Sequence, residues 1–97
     1  FNKNGKQLYA LKVKGQSMID ALIDDGDIIL IDPTATIQDG DMVVAWLKLE
    51  QETTLKRIYR EGRVIRLQPE NSAMQPIFAK ASNVETMGTV VGVIRTM

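Results

Sequence analysis

The feature that most constrains the fold is a turn signal that occurs twice, each time directly before an apolar run. Asp25-Gly26-Asp27 precedes residues 28–31, and Asp39-Gly40-Asp41 precedes residues 42–47. An Asp-Gly step supplies the positive φ that a tight turn needs, and short β-branched runs favour strands. The two signals therefore predict short strands that each begin at a tight turn.

The rest of the chain continues this pattern. Residues 8–14 alternate between apolar and basic side chains, residues 53–60 and 64–67 flank a Glu61-Gly62 turn, and residues 89–95 are rich in β-branched residues. Ser17 and Asp20 have capping-box spacing, which predicts one short helical turn over residues 17–22. The sequence thus predicts an all-β fold of short, strongly twisted strands, arranged as a partly open barrel or as two packed sheets. We expect residues 1–97 to form one domain, because no linker or repeat divides them.

Composition excludes the commonest catalytic and metal sites. The 97 residues contain no histidine and no cysteine, which excludes a Ser-His-Asp triad, a cysteine nucleophile, disulfides and zinc sites built from those ligands. Twelve basic residues balance twelve acidic ones, so no net charge attracts the chain to nucleic acid or to an anionic membrane. We expect no cofactor, no metal and no membrane partner. The lack of cysteine favours the cytoplasm, although only weakly.

Without histidine, the remaining way to activate a hydroxyl group is a lysine acting as general base. Ser17 follows a strand and Gly15, and it begins the predicted helical turn. A helix N-cap is the plainer interpretation, but backbone amides at a helix start also lack helical partners, as an oxyanion hole requires. We expect the amides of Gln16 and Ser17 to be those donors, with Gly15 leaving room for a substrate strand. Met18 is expected to fill the core beside them.

Lys56 differs from the other lysines because it lies in the middle of a predicted strand. Alternation places it on one face with Thr54 and Ile58. A solvated strand face is the plainer interpretation. A catalytic role requires burial away from carboxylates, which would lower the pKa of the amine, while the Thr54 hydroxyl would orient it.

Two charged groups have simpler explanations than ligand binding. The aspartates at positions 24, 25 and 27 do not fit a twelve-residue calcium loop, so turn chemistry is favoured. The basic residues between Lys56 and Arg66 alternate across strand faces, which favours a hairpin with solvated arginines over a nucleic-acid surface.

A set of motifs in register resembles one family. The motifs, in chain order, are Gly15-Gln16-Ser17-Met18-Ile19-Asp20, Asp25-Gly26-Asp27, Gly40-Asp41-Met42-Val43-Val44-Ala45, Thr54-Leu55-Lys56-Arg57, Leu67-Gln68-Pro69-Glu70-Asn71-Ser72 and Gly92-Val93-Ile94-Arg95. Together they resemble the C-terminal self-cleavage domain of LexA-type repressors, a family that includes phage repressors and the UmuD polymerase-accessory proteins. The resemblance covers residues 8–95.

The resemblance implies that Ser17 is the nucleophile and Lys56 the general base, in a signal-peptidase-like fold. It further implies cleavage of a peptide bond in the protein's own chain, stimulated by a RecA–single-stranded-DNA filament. It also implies a homodimer in which the last strand takes part. We expect that interface to include Val90, Val91, Val93 and Ile94.

The chain also departs from the family pattern. The family cleaves an Ala-Gly or Cys-Gly bond well upstream of the serine, whereas sixteen residues precede Ser17 and neither pair occurs in the chain. We therefore expect a fragment whose cleavage site and DNA-binding domain lie outside residues 1–97. Two other hypotheses stay open: a UmuD-like subunit of a translesion polymerase, and a catalytically silent dimerisation module.

Overall fold

The described residues form nine strands and two turns of 3₁₀ helix. The computed structural model describes residues 2–3 and 6–95, with side chains described from residue 7 onward. The strands are Asn2–Lys3 (β1), Lys6–Gln7 (β2), Tyr9–Lys12 (β3), Ile28–Asp32 (β4), Met42–Leu47 (β5), Glu52–Glu61 (β6), Val64–Gln68 (β7), Ile77–Lys80 (β8) and Val84–Ile94 (β9). The 3₁₀ turns are Ile19–Ala21 and Ala81–Asn83. The all-β prediction is confirmed, and β4 and β5 each follow one Asp-Gly-Asp triplet.

Seven strands form one antiparallel sheet in the order β3-β4-β9-β5-β6-β7-β8, and β1 pairs with β2 separately. The larger sheet is open, since β3 and β8 are its two edges in the described part of the chain. The predicted hairpin is confirmed by β6 and β7, in which Glu61 pairs with Val64.

The long strand β9 joins the two halves of the sheet. Its first half pairs with β5 and its second half with β4, and the two registers meet at Thr89. The pairing with β5 shifts register once, where Met87 is an extra residue of β9, and the pairing with β4 shifts once, where Val91 is the extra residue. Such bulges bend and twist a strand. At Gly88 a β-carbon would collide with the Ile31 side chain, so only glycine allows this approach of β9 to β4.

The core has two parts that lie on opposite faces of β5. The first contains Val13, Met18, Ile23, Ile29, Ile31 and Val44. The second contains Val43, Ala45, Leu47, Ile58, Ile65 and Leu67. Neighbouring strand residues point to opposite faces, so the adjacent Val43 and Val44 enter different clusters and β5 is buried on both sides.

The helical turn after Ser17 is present, but the predicted capping box is wrong. The residue that begins the 3₁₀ turn is Met18, and no side chain caps it. The Asp20 carboxylate accepts a hydrogen bond from Ser72 N at 2.9 Å. A contact with a distant segment therefore replaces the local one that the spacing predicted.

No helix in the described residues has the length and apolarity that crossing a membrane requires.

Candidate active site

Ser17 lies between β3 and the first 3₁₀ turn, on a half-buried stretch of chain. Its Oγ donates a hydrogen bond to Leu55 O, the carbonyl oxygen of the residue before Lys56, at 3.3 Å. Gly15 has φ +84°, a backbone conformation that glycine adopts without strain. The serine hydroxyl is therefore held against strand β6.

Lys56 is buried in β6, with 5% of its surface exposed. Its Nζ donates a hydrogen bond to Thr54 Oγ1 at 2.6 Å, which is the contact that strand alternation predicted. Burial lowers the pKa of the Lys56 amine below its ordinary value of 10.5. Among the described residues no carboxylate forms an ion pair with Lys56 to offset this effect.

One surface cleft of about 450 Å³ brings the two residues together. Ser17, Lys56 and Thr54 all line it. Its walls combine polar residues with apolar ones. The other polar residues are Lys12, Lys14, Gln16 and Thr53, and the apolar ones are Leu11, Val13, Ile29, Val44, Leu55 and Met74. Within the described chain Ser17 Oγ bonds to Leu55 and Lys56 Nζ to Thr54, and the two side chains do not bond to each other.

The backbone before Ser17 offers unpaired donors at this cleft. In the described part of the chain, neither the Gln16 amide nor the Ser17 amide has a hydrogen-bond acceptor. The preceding amide is different, because Gly15 N donates to Asp25 Oδ1 at 2.7 Å. Two neighbouring N–H groups without acceptors, next to a serine hydroxyl, have the composition of an oxyanion hole.

A comparison with protein-family models gives one match to this chain. The model described as Peptidase S24-like matches residues 1–91. The chain belongs to the Peptidase S24-like family.

Curated relatives of this S24-like chain are LexA repressors. It is 54% identical to the LexA repressor of Herpetosiphon aurantiacus over 93% of the chain and 42% of that protein. It is 52% identical to that of Roseiflexus sp. over 95% of the chain and 42% of the relative. It is 50% identical to the LexA repressor of Geotalea uraniireducens over 96% of the chain and 46% of that protein. The resemblance predicted from the motifs is confirmed, and the chain spans less than half the length of these relatives.

Two residues that support the S24-like site were missed at the sequence level. Asp25 holds the Gly15 amide, and Asn71 Nδ2 donates to Gln16 O at 2.7 Å. The sequence predicts only a tight turn at Asp25, and it indicates Asn71 only as part of a family motif. Asn71 lies 55 positions from Gln16, so no local pattern links the two.

The charged groups of the hairpin pair with their neighbours. Arg57 Nε lies 2.6 Å from Glu70 Oε1, and Arg66 Nε lies 2.7 Å from Glu61 Oε2. The Arg66 guanidinium also stacks over the Tyr59 ring at 4.2 Å. These contacts fit the hairpin interpretation of the basic residues. The described residues hold no cluster of three or more metal-ligating side chains.

The segment of β9 that is predicted to form a dimer interface exposes apolar side chains on the surface of the molecule. Val91, Val93 and Ile94 are exposed on β9, whereas Val90 packs against the first core cluster. Leu22, which is 79% exposed, adds to the apolar surface of the molecule.

Proposed function

We propose that this chain is the self-cleaving and dimerising domain of a LexA-like repressor, with Ser17 as nucleophile and Lys56 as general base. The observation that carries the proposal is the burial of Lys56 in the cleft that Ser17 also lines, with no carboxylate among the described residues paired to its amine. Such burial favours the neutral amine, which is the form able to accept a proton.

In the proposed reaction Ser17 Oγ first turns from the Leu55 carbonyl towards Lys56 Nζ. The neutral amine takes the hydroxyl proton while Oγ bonds to the carbonyl carbon of the scissile peptide, and the amides of Gln16 and Ser17 bind the resulting oxyanion. The Lys56 ammonium then gives its proton to the leaving amine as the C–N bond breaks. Water, deprotonated by Lys56, hydrolyses the Ser17 ester.

The relatives are LexA repressors, which favours a repressor over a polymerase subunit or a silent module. By this proposal DNA binding belongs to a part of the protein outside residues 1–97, and a RecA–single-stranded-DNA filament stimulates cleavage in the cytoplasm. Cleavage would separate the dimerised domain from the DNA-binding part. One linked dimer would then no longer hold two DNA half-sites, so binding to DNA would weaken.

The dyad is tested by incubating the full-length protein at pH values between 6 and 11 (a range that spans the ordinary lysine titration). Because the neutral amine is the active form, the rate should rise with pH to a plateau, with a midpoint below 10.5. Ser17→Ala and Lys56→Ala should each lower the plateau rate by at least about 10³-fold. Cleavage is followed by gel electrophoresis of the two fragments.

Matched controls for this experiment are Ser82→Ala and Lys48→Ala, since both residues are exposed and lie outside the cleft. They should cleave like the wild type. A Ser17→Ala protein that cleaves at the wild-type rate would refute the dyad. A wild type that cleaves at no pH, with the Lys56 pKa near 10, would favour the silent dimerisation module.

Dimerisation through β9 is tested with Val93→Glu in the full-length protein. Val93 is exposed in the single chain, and a charge placed in an apolar interface there should weaken the dimer by about 10–100-fold. Analytical ultracentrifugation measures the dissociation constant. Leu49→Glu is the control because Leu49 is 85% exposed and precedes β6, away from β9's second half. An unchanged dimer for Val93→Glu would contradict this interface.

A further inference from the structure

We propose that Asn71 is a positioning residue that orients the Ser17 amide of the oxyanion hole. This role rests on the proposed function of the cleft. Asn71 belongs to the connection between β7 and β8.

The Asn71 side chain is fixed by hydrogen bonds at both of its polar atoms. Oδ1 accepts from Ala73 N at 2.9 Å, and Nδ2 donates to Gln16 O at 2.7 Å. The backbone of Asn71 is also held, because its carbonyl oxygen accepts from Met74 N at 3.0 Å. With Oδ1 bonded to a backbone N–H, the NH₂ group is the one that faces the Gln16 carbonyl.

The Gln16 carbonyl and the Ser17 amide belong to the same peptide unit. That unit is planar and trans, so its C=O and N–H bonds point in opposite directions. Holding the carbonyl oxygen at Asn71 therefore sets the direction of the Ser17 N–H bond. A hydrogen bond at the carbonyl also polarises the peptide and strengthens its N–H as a donor.

Asn71 makes the shorter of the two described contacts to this carbonyl. The other comes from Ile19 N, inside the following 3₁₀ turn, at 3.3 Å. The longer bond comes from the turn directly after Ser17, whereas Asn71 is distant in sequence. Asn71 thus holds the Gln16 carbonyl from outside that turn.

The segment that carries Asn71 is anchored on both sides of the cleft. Asp20 N donates to Glu70 O at 2.6 Å, and Ser72 N donates to the Asp20 carboxylate, which ties the segment to the turn after Ser17. The Glu70 carboxylate pairs with Arg57, the residue after Lys56, at 2.6 Å. These contacts fix the segment of Asn71 next to the peptide that it orients.

The test is Asn71→Ser in the full-length protein, assayed for self-cleavage across the same pH range. A serine hydroxyl can still accept from Ala73 N, but it is too short to reach Gln16 O. Deleting an oxyanion donor outright lowers rates by about 10²–10³-fold, so loosening one should lower the plateau rate by about 10–50-fold. The pH midpoint should stay unchanged, because the surroundings of Lys56 stay the same.

Asn83→Ser is the matched control. Asn83 also accepts from a backbone amide through Oδ1 (Leu49 N, 2.8 Å) and donates through Nδ2 (Glu50 Oε1, 2.9 Å), but its Nδ2 bonds to a glutamate side chain and not to the peptide before Ser17. It should cleave within twofold of the wild type. Thermal unfolding of both variants establishes that they are folded at the assay temperature.

Three results would overturn the role of Asn71 while leaving the dyad intact: a plateau rate for Asn71→Ser within twofold of wild type, an equal loss in Asn83→Ser, or a loss that comes entirely from a shifted midpoint. Failure of the proposed function is distinct, since the wild type would then cleave at no pH or Ser17→Ala would cleave normally. In that case the role of Asn71 is overturned with it.

Discussion

The two Asp-Gly-Asp turns dock onto the rest of the chain by the same pair of backbone hydrogen bonds. In the first, Val13 N donates to Asp27 O and Gly26 N donates to Val13 O, both at 2.8 Å. In the second, Ile58 N donates to Asp41 O at 3.0 Å and Gly40 N donates to Ile58 O at 2.8 Å. Each turn thus binds one buried aliphatic residue.

These two buried residues flank the proposed dyad. Val13 lies four positions before Ser17, and Ile58 lies two positions after Lys56. The first turn therefore anchors the chain that leads to the proposed nucleophile, and the second anchors the strand that carries the proposed base. The same local signal fixes both halves of the site.

The side chains of the two turns behave differently. In the first turn Asp27 is buried and binds Arg95 through both oxygens, at 3.0 and 2.8 Å. In the second turn the carboxylates accept only backbone amides: Asp39 from Arg60 N and Asp41 from Gln38 N, each at 2.9 Å. The backbone conformation is set by the triplet, whereas the side-chain contacts depend on what the rest of the fold brings near.

The largest difference between the turns should appear in stability. In Asp27→Asn an NH₂ group replaces one carboxylate oxygen and faces the N–H groups of Arg95, so a buried hydrogen bond is lost. This substitution should lower the Tm by about 10 °C. Asp41→Asn keeps an oxygen for the Gln38 amide and should change the Tm by about 2 °C or less. Calorimetry of the full-length proteins measures both. Equal losses would show that the two turns are interchangeable.

The free energy of unfolding of the same two variants should also depend differently on pH. Hydrogen bonds from Arg95 hold the pKa of Asp27 at about 2, below its ordinary value of 3.8. A lowered folded-state pKa means that this stabilisation is present above pH 4 and is lost as the pH falls from about 4 to about 2. Urea unfolding across that range should show a shallower acid loss in Asp27→Asn than in Asp41→Asn.

A smaller difference should appear in the reaction rate. Asp25→Ala leaves the Gly15 amide without its carboxylate acceptor and loosens the chain before Ser17. It should lower the self-cleavage plateau by about 3–10-fold, by analogy with other positioning contacts. Asp39→Ala removes a matching bond to Arg60 N on the far side of the site and should leave the rate within twofold. A rate loss in Asp39→Ala equal to that in Asp25→Ala would contradict the prediction that the Gly15 contact, two residues before Ser17, affects the rate more than the Arg60 contact, four residues after Lys56.

Local patterns were sufficient to predict β3 to β7, the second half of β9 and the candidate dyad, but not β8 or the first half of β9. Turn chemistry and strand alternation act over two to four residues, so β4, β5 and the β6–β7 hairpin follow from the sequence. Alternation also placed Thr54 beside Lys56, as the structure confirms. The capping-box prediction is wrong because a distant contact replaces a local one. The Asp20 carboxylate accepts from the amide of Ser72 and not from the backbone beside Ser17.

What the sequence by itself determined is therefore β3 to β7 and the second half of β9, the turns between them, and the restriction of catalysis to groups other than histidine and cysteine. The tertiary structure alone decided that Lys56 is buried, that Asp27 meets Arg95, and that Asn71 reaches the Gln16 carbonyl. The physical reason is the range of the interactions. Propensities and turn conformations depend on neighbours along the chain, whereas burial and ion pairing depend on which distant segments the order of the sheet brings together.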